Sequence, residues 1–503
     1  MIFVNLNAEI VIVTLPLFFS PVMSELLVWV ATVAYLAIIV TMIVAVLSEN
    51  RNPLKALGWV TALVLFPIGG AVLYMVFGRS MRNVRMISRR NRRRLLNSSP
   101  RPQLLKPGHG LSDENKRCMM LGYSLAEAIV YPDNRVEIFN SGEKMFDSLI
   151  SDISAARHYI NLQFYIIAND PLGRRMADAL MERARAGVKI RVIYDYVGSW
   201  GDKSMSLFNR MRAEGIEVHS FFRIQLSEKL SRLNWRNHRK AVIIDGRVGY
   251  IGGMNVAQRY IDGGKNFKAW RDLAVRVEGQ AVISLQHNFA IDWKFMGYDL
   301  LTDELTESVG DVSPAREGEI GGVSAQIISS GPTDRWGNSQ MLFLRAITGA
   351  RRRIYIQTPY FLPSETLQAA LQCASLSGVD VRVMVPRRSD SAVLTHASAS
   401  FVEESLLAGI KVYLYGGGML HSKMMLVDND FVTIGSTNFD YRSFEHNFEE
   451  NIIMYSREVN QRVAQLFRLD QEQSEQIKLS EWNRRPRALK VRESLCRLLS
   501  PIL

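Results

Sequence analysis

His238-Arg-Lys240, followed by Asp245 and then Gly252-Gly253-Met254-Asn255, recurs as His421-Ser-Lys423, Asp428 and Gly435-Ser436-Thr437-Asn438. Both copies read HxKxxxxD, six residues, then GxxN. Five residue types at fixed spacing arise at a given start with a chance on the order of one in a million, so two copies mark duplicated halves. Shorter echoes agree with that reading. Gly187-Val-Lys-Ile-Arg-Val192 returns as Gly378-Val-Asp-Val-Arg-Val383, and Glu214-Gly-Ile-Glu-Val218 as Ala408-Gly-Ile-Lys-Val412. Tyr159-Ile-Asn-Leu-Gln-Phe-Tyr165 returns more loosely as Ile354-Tyr-Ile-Gln-Thr-Pro-Tyr360; the three offsets are 191, 194 and 195. Such a period, far beyond about 50 residues, excludes a solenoid. Helical apolar spacing in Met176–Ala186 and Leu367–Ser377 precedes short buried strands at Ile190–Tyr194 and Val381–Val385, so each half is α/β.

The spacing within the motif has a geometric meaning. Ala241–Ile244 and Met424–Val427 read as buried strands, and residues two apart on a strand share a face. His238 therefore points with Lys240, and His421 with Lys423. Asp245-Gly246 is a strong hairpin signal and Asp428-Asn429-Asp430 a weaker one. A hairpin about 245/246 returns Gly253 and Asn255 beside His238 and Lys240, and one about Asn429 returns Asn438 beside His421. At about 3.3 Å per residue, an extended strand carries Asp245 roughly 23 Å from His238. The motif set at the catalytic centre is His238, Lys240, Asp245, His421, Lys423 and Asp428, with the two aspartates expected to act through the turns.

Two clusters of imidazole, ammonium and carboxamide suit phosphodiester chemistry. A neutral imidazole attacks phosphorus while a second histidine protonates the leaving oxygen. Lysines, Asn255, Asn438 and the Ser436 hydroxyl are expected to hold the phosphate oxygens. Asp272 and Glu449 each follow a GxxN element and begin an apolar strand, where a carboxylate can fix the tautomer of a catalytic histidine. His109, His158, His219, His287, His396 and His446 fall outside the motif and are expected to be structural or exposed. The constellation calls for no metal and no cofactor.

Composition bounds the setting. The chain has 503 residues, 48% hydrophobic and 22% charged, which excludes wholesale disorder. Three scattered cysteines, Cys118, Cys373 and Cys496, form neither a disulfide framework nor a zinc motif. The net charge is +12, and ten cations without an acid lie between Arg79 and Lys106. A nucleic-acid enzyme more often spreads basic surface over the folded domain. Two uncharged stretches precede the basic run, Leu26–Leu47 and Ala56–Gly78, of 22 and 23 residues. Spanning a bilayer takes about 20, so two transmembrane helices are expected, with the cations and the catalytic body on the cytoplasmic side. Ile10–Phe19 is too short to span and reads as interfacial. Asn483–Leu503 mixes six cations with leucines and valine; an interfacial helix and simple packing on the domain are both open.

The expected layout is an apolar segment at 1–23, a two-helix anchor at 24–78, a basic linker at 79–110, and two catalytic halves at 111–320 and 321–503.

With these residues in view, the paired motifs resemble the phospholipase D superfamily over roughly residues 120–470. More narrowly, the whole chain resembles the bacterial cardiolipin synthases. Supporting matches are Asn52-Pro53, Leu57-Gly58-Trp59, Pro67-Ile-Gly-Gly70, Tyr74, Phe77-Gly78-Arg79, Gln163-Phe-Tyr165, Ser330-Gly-Pro332, Thr358-Pro-Tyr-Phe361, Asp440, Arg442-Ser443 and Leu498–Leu503. The resemblance implies duplicated α/β/α sandwich halves behind two transmembrane helices in a bacterial cytoplasmic membrane. It implies transfer of a phosphatidyl group between two phosphatidylglycerol molecules with release of glycerol, on anionic lipid and not on nucleic acid. It also implies His238 as nucleophile and His421 as acid and base; the contrast of Gly253 with Ser436 makes the halves unequal without deciding that order. A related phosphatidyltransferase or a hydrolytic phospholipase D differs only in the acceptor. A non-enzymatic scaffold would have eroded motifs, and both copies are intact. No oligomeric state follows from the sequence.

Overall fold

In a computed structural model of the chain, the described residues are 21–48, 53–78, 80–82, 84–98, 111–200, 204–222, 234–303 and 315–500. They form two compact units, divided between Arg79 and Ser80. The apolar run at 10–19 and the cations Arg101 and Lys106 lie outside the described residues.

In the first unit, Glu25–Ser48 is the one described helix long and apolar enough to cross a bilayer, and 6% of its apolar window is buried. Leu26, Leu27, Val28, Trp29 and Val30 are all exposed, so apolar surface runs around the whole helix. Thr32, Thr41 and Ser48 turn their hydroxyls back onto carbonyls one turn earlier at 2.8, 2.7 and 2.7 Å, which pairs those three donors within the helix. Such a helix suits lipid, and the unit is membrane-associated. The second expected span, Ala56–Gly78, is not one helix. It divides into Pro53–Leu65, Pro67–Leu73 and a π-helical turn at Tyr74–Gly78. The reason is Pro67: it has no N–H for the preceding turn and instead opens the next helix. At Gly70 a Cβ would lie 2.5 Å from the Ala62 carbonyl, so only glycine allows this close approach.

The second unit is built on a mixed sheet of sixteen strands. The first half contributes, from the edge inward, Glu217–Phe221, Lys189–Asp195, Tyr159–Phe164, Ala241–Ile244, Val248–Gly252, Ala274–Glu278 and Val130–Phe139. The second half repeats the order with Lys411–Tyr415, Asp380–Pro386, Arg353–Gln357, Met424–Val427, Phe431–Gly435, Asn447–Tyr455 and Ile320–Ser330. The halves join where Val130–Phe139 runs antiparallel to Ile320–Ser330. All six residues of Tyr159–Phe164 are buried, as expected for an inner strand covered on both faces. Helices Val282–Phe295 and Arg457–Glu472 pack Phe289, Trp293, Val463 and Phe467 into a core shared by both halves. Part of the stretch read as a linker is folded in the same way. Helix Arg89–Asn97, capped by Ser88, buries Leu95 in that core.

Both motif hairpins turn through three residues. Ile244 pairs with Val248 and Val427 with Phe431, so the first loop is Asp245–Arg247, one residue longer than a turn about 245/246. Asp245 and Asp428 take φ of 49° and 50°, the left-handed region that aspartate tolerates. The Asp245 carboxylate accepts from the backbone N–H of Arg157, His158 and Tyr159 at 2.8, 2.8 and 2.9 Å. Asp428 does the same for Arg351, Arg352 and Arg353 at 3.0, 2.7 and 3.1 Å. Their membership of the catalytic set is corrected accordingly: each aspartate ties its hairpin to the start of the neighbouring strand, at the strand end away from its histidine.

Replacing Asp245 or Asp428 by alanine leaves three backbone donors without their acceptor, which should cost about 1–3 kcal/mol. Thermal unfolding should show the lower stability. The folded fraction should retain near wild-type turnover; loss as deep as in His238→Ala would contradict the turn role.

Candidate active site

Two short pairings cross between the halves. Arg236-Asn237 runs parallel to Asn447-Phe448, and Trp270-Arg271 runs parallel to Met419-Leu420. Each pairing extends by one residue into a motif histidine: His238 N–H donates to the Phe448 carbonyl at 2.9 Å, and His421 N–H to that of Arg271 at 2.7 Å. The next residue on each partner strand is a carboxylate. His238 Nδ1 lies 3.0 Å from both oxygens of Glu449, and His421 Nδ1 lies 2.6 Å from Asp272. Each half therefore orients the histidine of the other. A carboxylate at Nδ1 holds the proton there and leaves Nε2 with its lone pair.

Strand alternation places the remaining motif residues. Lys240 Nζ donates to the His238 carbonyl at 2.6 Å and lies 5.4 Å from the Tyr165 ring centre. Lys423 Nζ lies 3.1 Å from His421 Nε2 and 2.7 Å from Nδ1, and also donates to the His421 carbonyl. Arg239, between His238 and Lys240, points the other way into a buried ion pair with Asp292 at 2.5 Å. Asn255 accepts from Ile166 N–H at 3.2 Å and donates to the Tyr260 hydroxyl at 2.8 Å. Asn438 keeps a buried amide oxygen with no partner among the described residues.

Ser436 does not join them. Its side chain is fully buried and bridges the Glu450 backbone, donating to the carbonyl at 3.3 Å and accepting from the N–H at 2.9 Å. The expected phosphate contact is thus corrected: this hydroxyl is spent on the strand beside Glu449. At the matching Gly253 a Cβ would sit 2.2 Å from an Asp272 oxygen, so that position is glycine because the carboxylate fills the space.

His238, His421, Asn255 and Asn438 line one cavity of about 240 Å³. Its walls add Tyr165, Tyr260, Trp270 and Tyr360, the cations Arg236, Arg259 and Arg442, and the acids Asp390 and Asp440. Tyr360 donates to Asp390 at 2.6 Å. Tyr165, Tyr360, Asp440 and Arg442 stood in the supporting motifs. Arg236, Arg259, Tyr260 and Asp390 gave no signal, because a strand, a helix and a loop far apart in the chain bring them to the cavity. A larger groove of about 1110 Å³, lined by Glu137, Lys144, Asp147 and Arg462 among others, contains none of the motif residues. Of the other histidines, His219 bonds Tyr298 at 2.7 Å away from the cavity, and His109 lies outside the described residues.

The electrostatics follow from burial. Desolvation lowers His238 to about 4 against the pull of Glu449, and lowers His421 well below its ordinary value with Lys423 adding to the effect. Both imidazoles are neutral at pH 7. Burial raises Asp272 to about 6. It also lowers Lys423 to about 8, opposed by Asp272 and Glu449, and lowers Lys240 well below its usual range. A neutral imidazole held at Nδ1 has a free Nε2 lone pair, which is chemically able to attack an electrophile or to take up a proton.

The duplicated α/β unit belongs with the phospholipase D-like domains, as the comparisons show. The family model "Cardiolipin synthase, PLD-like domain" matches residues 149–293 and 343–470, and "Phospholipase_D-nuclease N-terminal" matches residues 33–79. A cardiolipin synthase of Geobacillus kaustophilus is 34% identical over 94% of this chain and 92% of its own length. The major cardiolipin synthase ClsA of Bacillus subtilis is 35% identical over 92% of this chain and 96% of its own length. The chain belongs to the cardiolipin synthase family and is a phosphatidyltransferase. Among solved structures, phosphatidylserine synthase of Haemophilus influenzae shares the fold, with a TM-score of 0.58 at 13% identity over 78% of this chain and all of that one.

Lys423 carries its charge below about pH 8 and loses it above. If that charge binds phosphate, kcat/KM should fall as pH rises through about 8. Lys423→Arg should move this limb upward in a pH–rate profile; an unmoved limb assigns it to another group.

Proposed function

We propose that the enzyme transfers a phosphatidyl group from one phosphatidylglycerol to another, yielding cardiolipin and glycerol through a phosphohistidine. The crossed His238–Glu449 and His421–Asp272 pairs carry this reading. They supply one nucleophile and one proton carrier in a single cavity. His238 Nε2 attacks phosphorus, and the bond to the headgroup glycerol breaks. The bound phosphodiester is an anion, so it favours the imidazolium form of His421, which gives its proton to the departing alkoxide. The two lysines, Asn255 and Asn438 stabilise the charge that develops on the phosphoryl oxygens. A hydroxyl of the second phosphatidylglycerol then gives its proton to His421 and attacks the phosphohistidine, freeing His238. Asp390 supports the assignment of His421 to the alcohol side. A carboxylate beside a phosphate cavity repels the phosphate but accepts from glycerol hydroxyls.

Nothing in this cycle draws on a metal or a cofactor. The deciding experiment incubates purified protein with phosphatidylglycerol bilayers and quantifies cardiolipin, glycerol and phosphatidic acid, with and without chelator. Equal cardiolipin and glycerol, unaffected by chelator in neutral detergent, is the expected result. His238→Ala and His421→Ala should each remove almost all turnover. Phosphatidic acid as the main product would make the enzyme a hydrolase.

The same reading sets the enzyme in a bacterial cytoplasmic membrane. Residues 24–78 form a two-pass anchor in which the Pro67-broken segment returns the chain, and the halves at 111–320 and 321–503 face the cytoplasm. The ten cations from Arg79 to Lys106, against Arg51 and Lys55 between the apolar stretches, support this orientation. A reporter fused after Leu503 should be active only on the cytoplasmic side; activity outside would reverse the topology.

A further inference from the structure

Helix Arg487–Leu498 has its amphipathic character turned inside out. Its inner face is charged. Arg497 pairs with Glu404 at 2.8 Å and lies over the Phe401 ring, and Lys490 reaches Glu403 at 3.3 Å. Glu493, buried, receives two bonds from Arg485 at 2.6 and 3.0 Å. Its outer face is apolar: Val491, Leu495 and Leu498 are 59, 60 and 75% exposed. These three positions fall at i, i+4 and i+7, one continuous stripe, and exposed Leu499 widens it. A helix facing water turns such a stripe inward. Arg487 and Arg492 stand exposed on either flank of the stripe and Arg484 is exposed just before the helix; among the described residues no acid pairs with them.

We propose that this outer face docks on the surface of an anionic phospholipid bilayer and holds the catalytic cavity at the headgroups. Apolar side chains bordered by unpaired arginines are the composition that enters the headgroup region of such a membrane. The position agrees. Helix Ala392–Ala399 packs against Arg487–Leu498 and lends Leu394 to the cavity wall, so one helix joins the docking helix to the cavity. The inference rests on the substrate being a membrane lipid.

The test compares the full chain with its Val491→Glu/Leu495→Glu variant on phosphatidylglycerol in vesicles and on short-chain phosphatidylglycerol dissolved as monomers. Turnover on vesicles should fall about tenfold while turnover on monomers stays within about twofold. Equal loss on both substrates, or no loss on vesicles, overturns the docking face. Amide hydrogen exchange of residues 487–498 gives a readout independent of product. It should slow in nanodiscs containing anionic lipid relative to zwitterionic nanodiscs, and unchanged exchange overturns the proposal even if the enzyme proves to be a hydrolase. Conversion of a dimer to a monomer by the variant in detergent, with vesicle kinetics unchanged, would give the stripe to a second copy and also overturn it.

Discussion

The crossed histidine–carboxylate contacts are the constraint on which the rest of the catalytic unit depends. His238 in the first half is oriented by Glu449 of the second, and His421 in the second by Asp272 of the first. Neither half holds a complete site. The long central pairing of Val130–Phe139 with Ile320–Ser330, the two short parallel pairings and the shared aromatic core all keep two fully buried carboxylates within hydrogen-bond reach of the partner half's imidazole. Displacement of about 1 Å between the halves would leave buried carboxylates unpaired, a state that costs far more than a lost surface contact.

That arrangement also explains the buried charge around the cavity. Four cationic or basic groups and two carboxylates are packed where water is scarce, and burial lowers each imidazole while raising Asp272. Neutral imidazoles share the cavity with a lysine that contacts His421 Nε2, so the site is rich in groups able to hold or pass a proton.

The pseudo-symmetry ends at the cavity walls. Tyr165 meets His238 edge-on at 5.1 Å, whereas His421 is flanked by Trp270 and Tyr260 at 5.6 and 5.8 Å with Asp390 close by. Two like motifs are thus set in unlike surroundings.

Much of this was legible in the chain. The duplicated HxKxxxxD…GxxN motif, with fixed spacing and period-two alternation, determined the two halves, the hairpins, the common direction of His238 with Lys240, and the turn role of Asp245 and Asp428. Local rules suffice there because each concerns residues within one hairpin. Tertiary structure alone decided the rest. That Asp272 serves His421 and Glu449 serves His238 depends on pairings across 149 and 211 residues. The Ser436 hydroxyl looked free to meet phosphate, but burial beside Glu450 spends it on the backbone. An apolar count saw one span in Ala56–Gly78, where the missing amide of Pro67 breaks the helix. Over Asn483–Leu503 the sequence left an interfacial helix and packing on the domain both open, and only the ion pairs to Glu403 and Glu404 decided that the apolar side of Arg487–Leu498 faces outward. Composition and period report what a segment prefers by itself; which partner it meets is settled by long-range packing, which no local window contains.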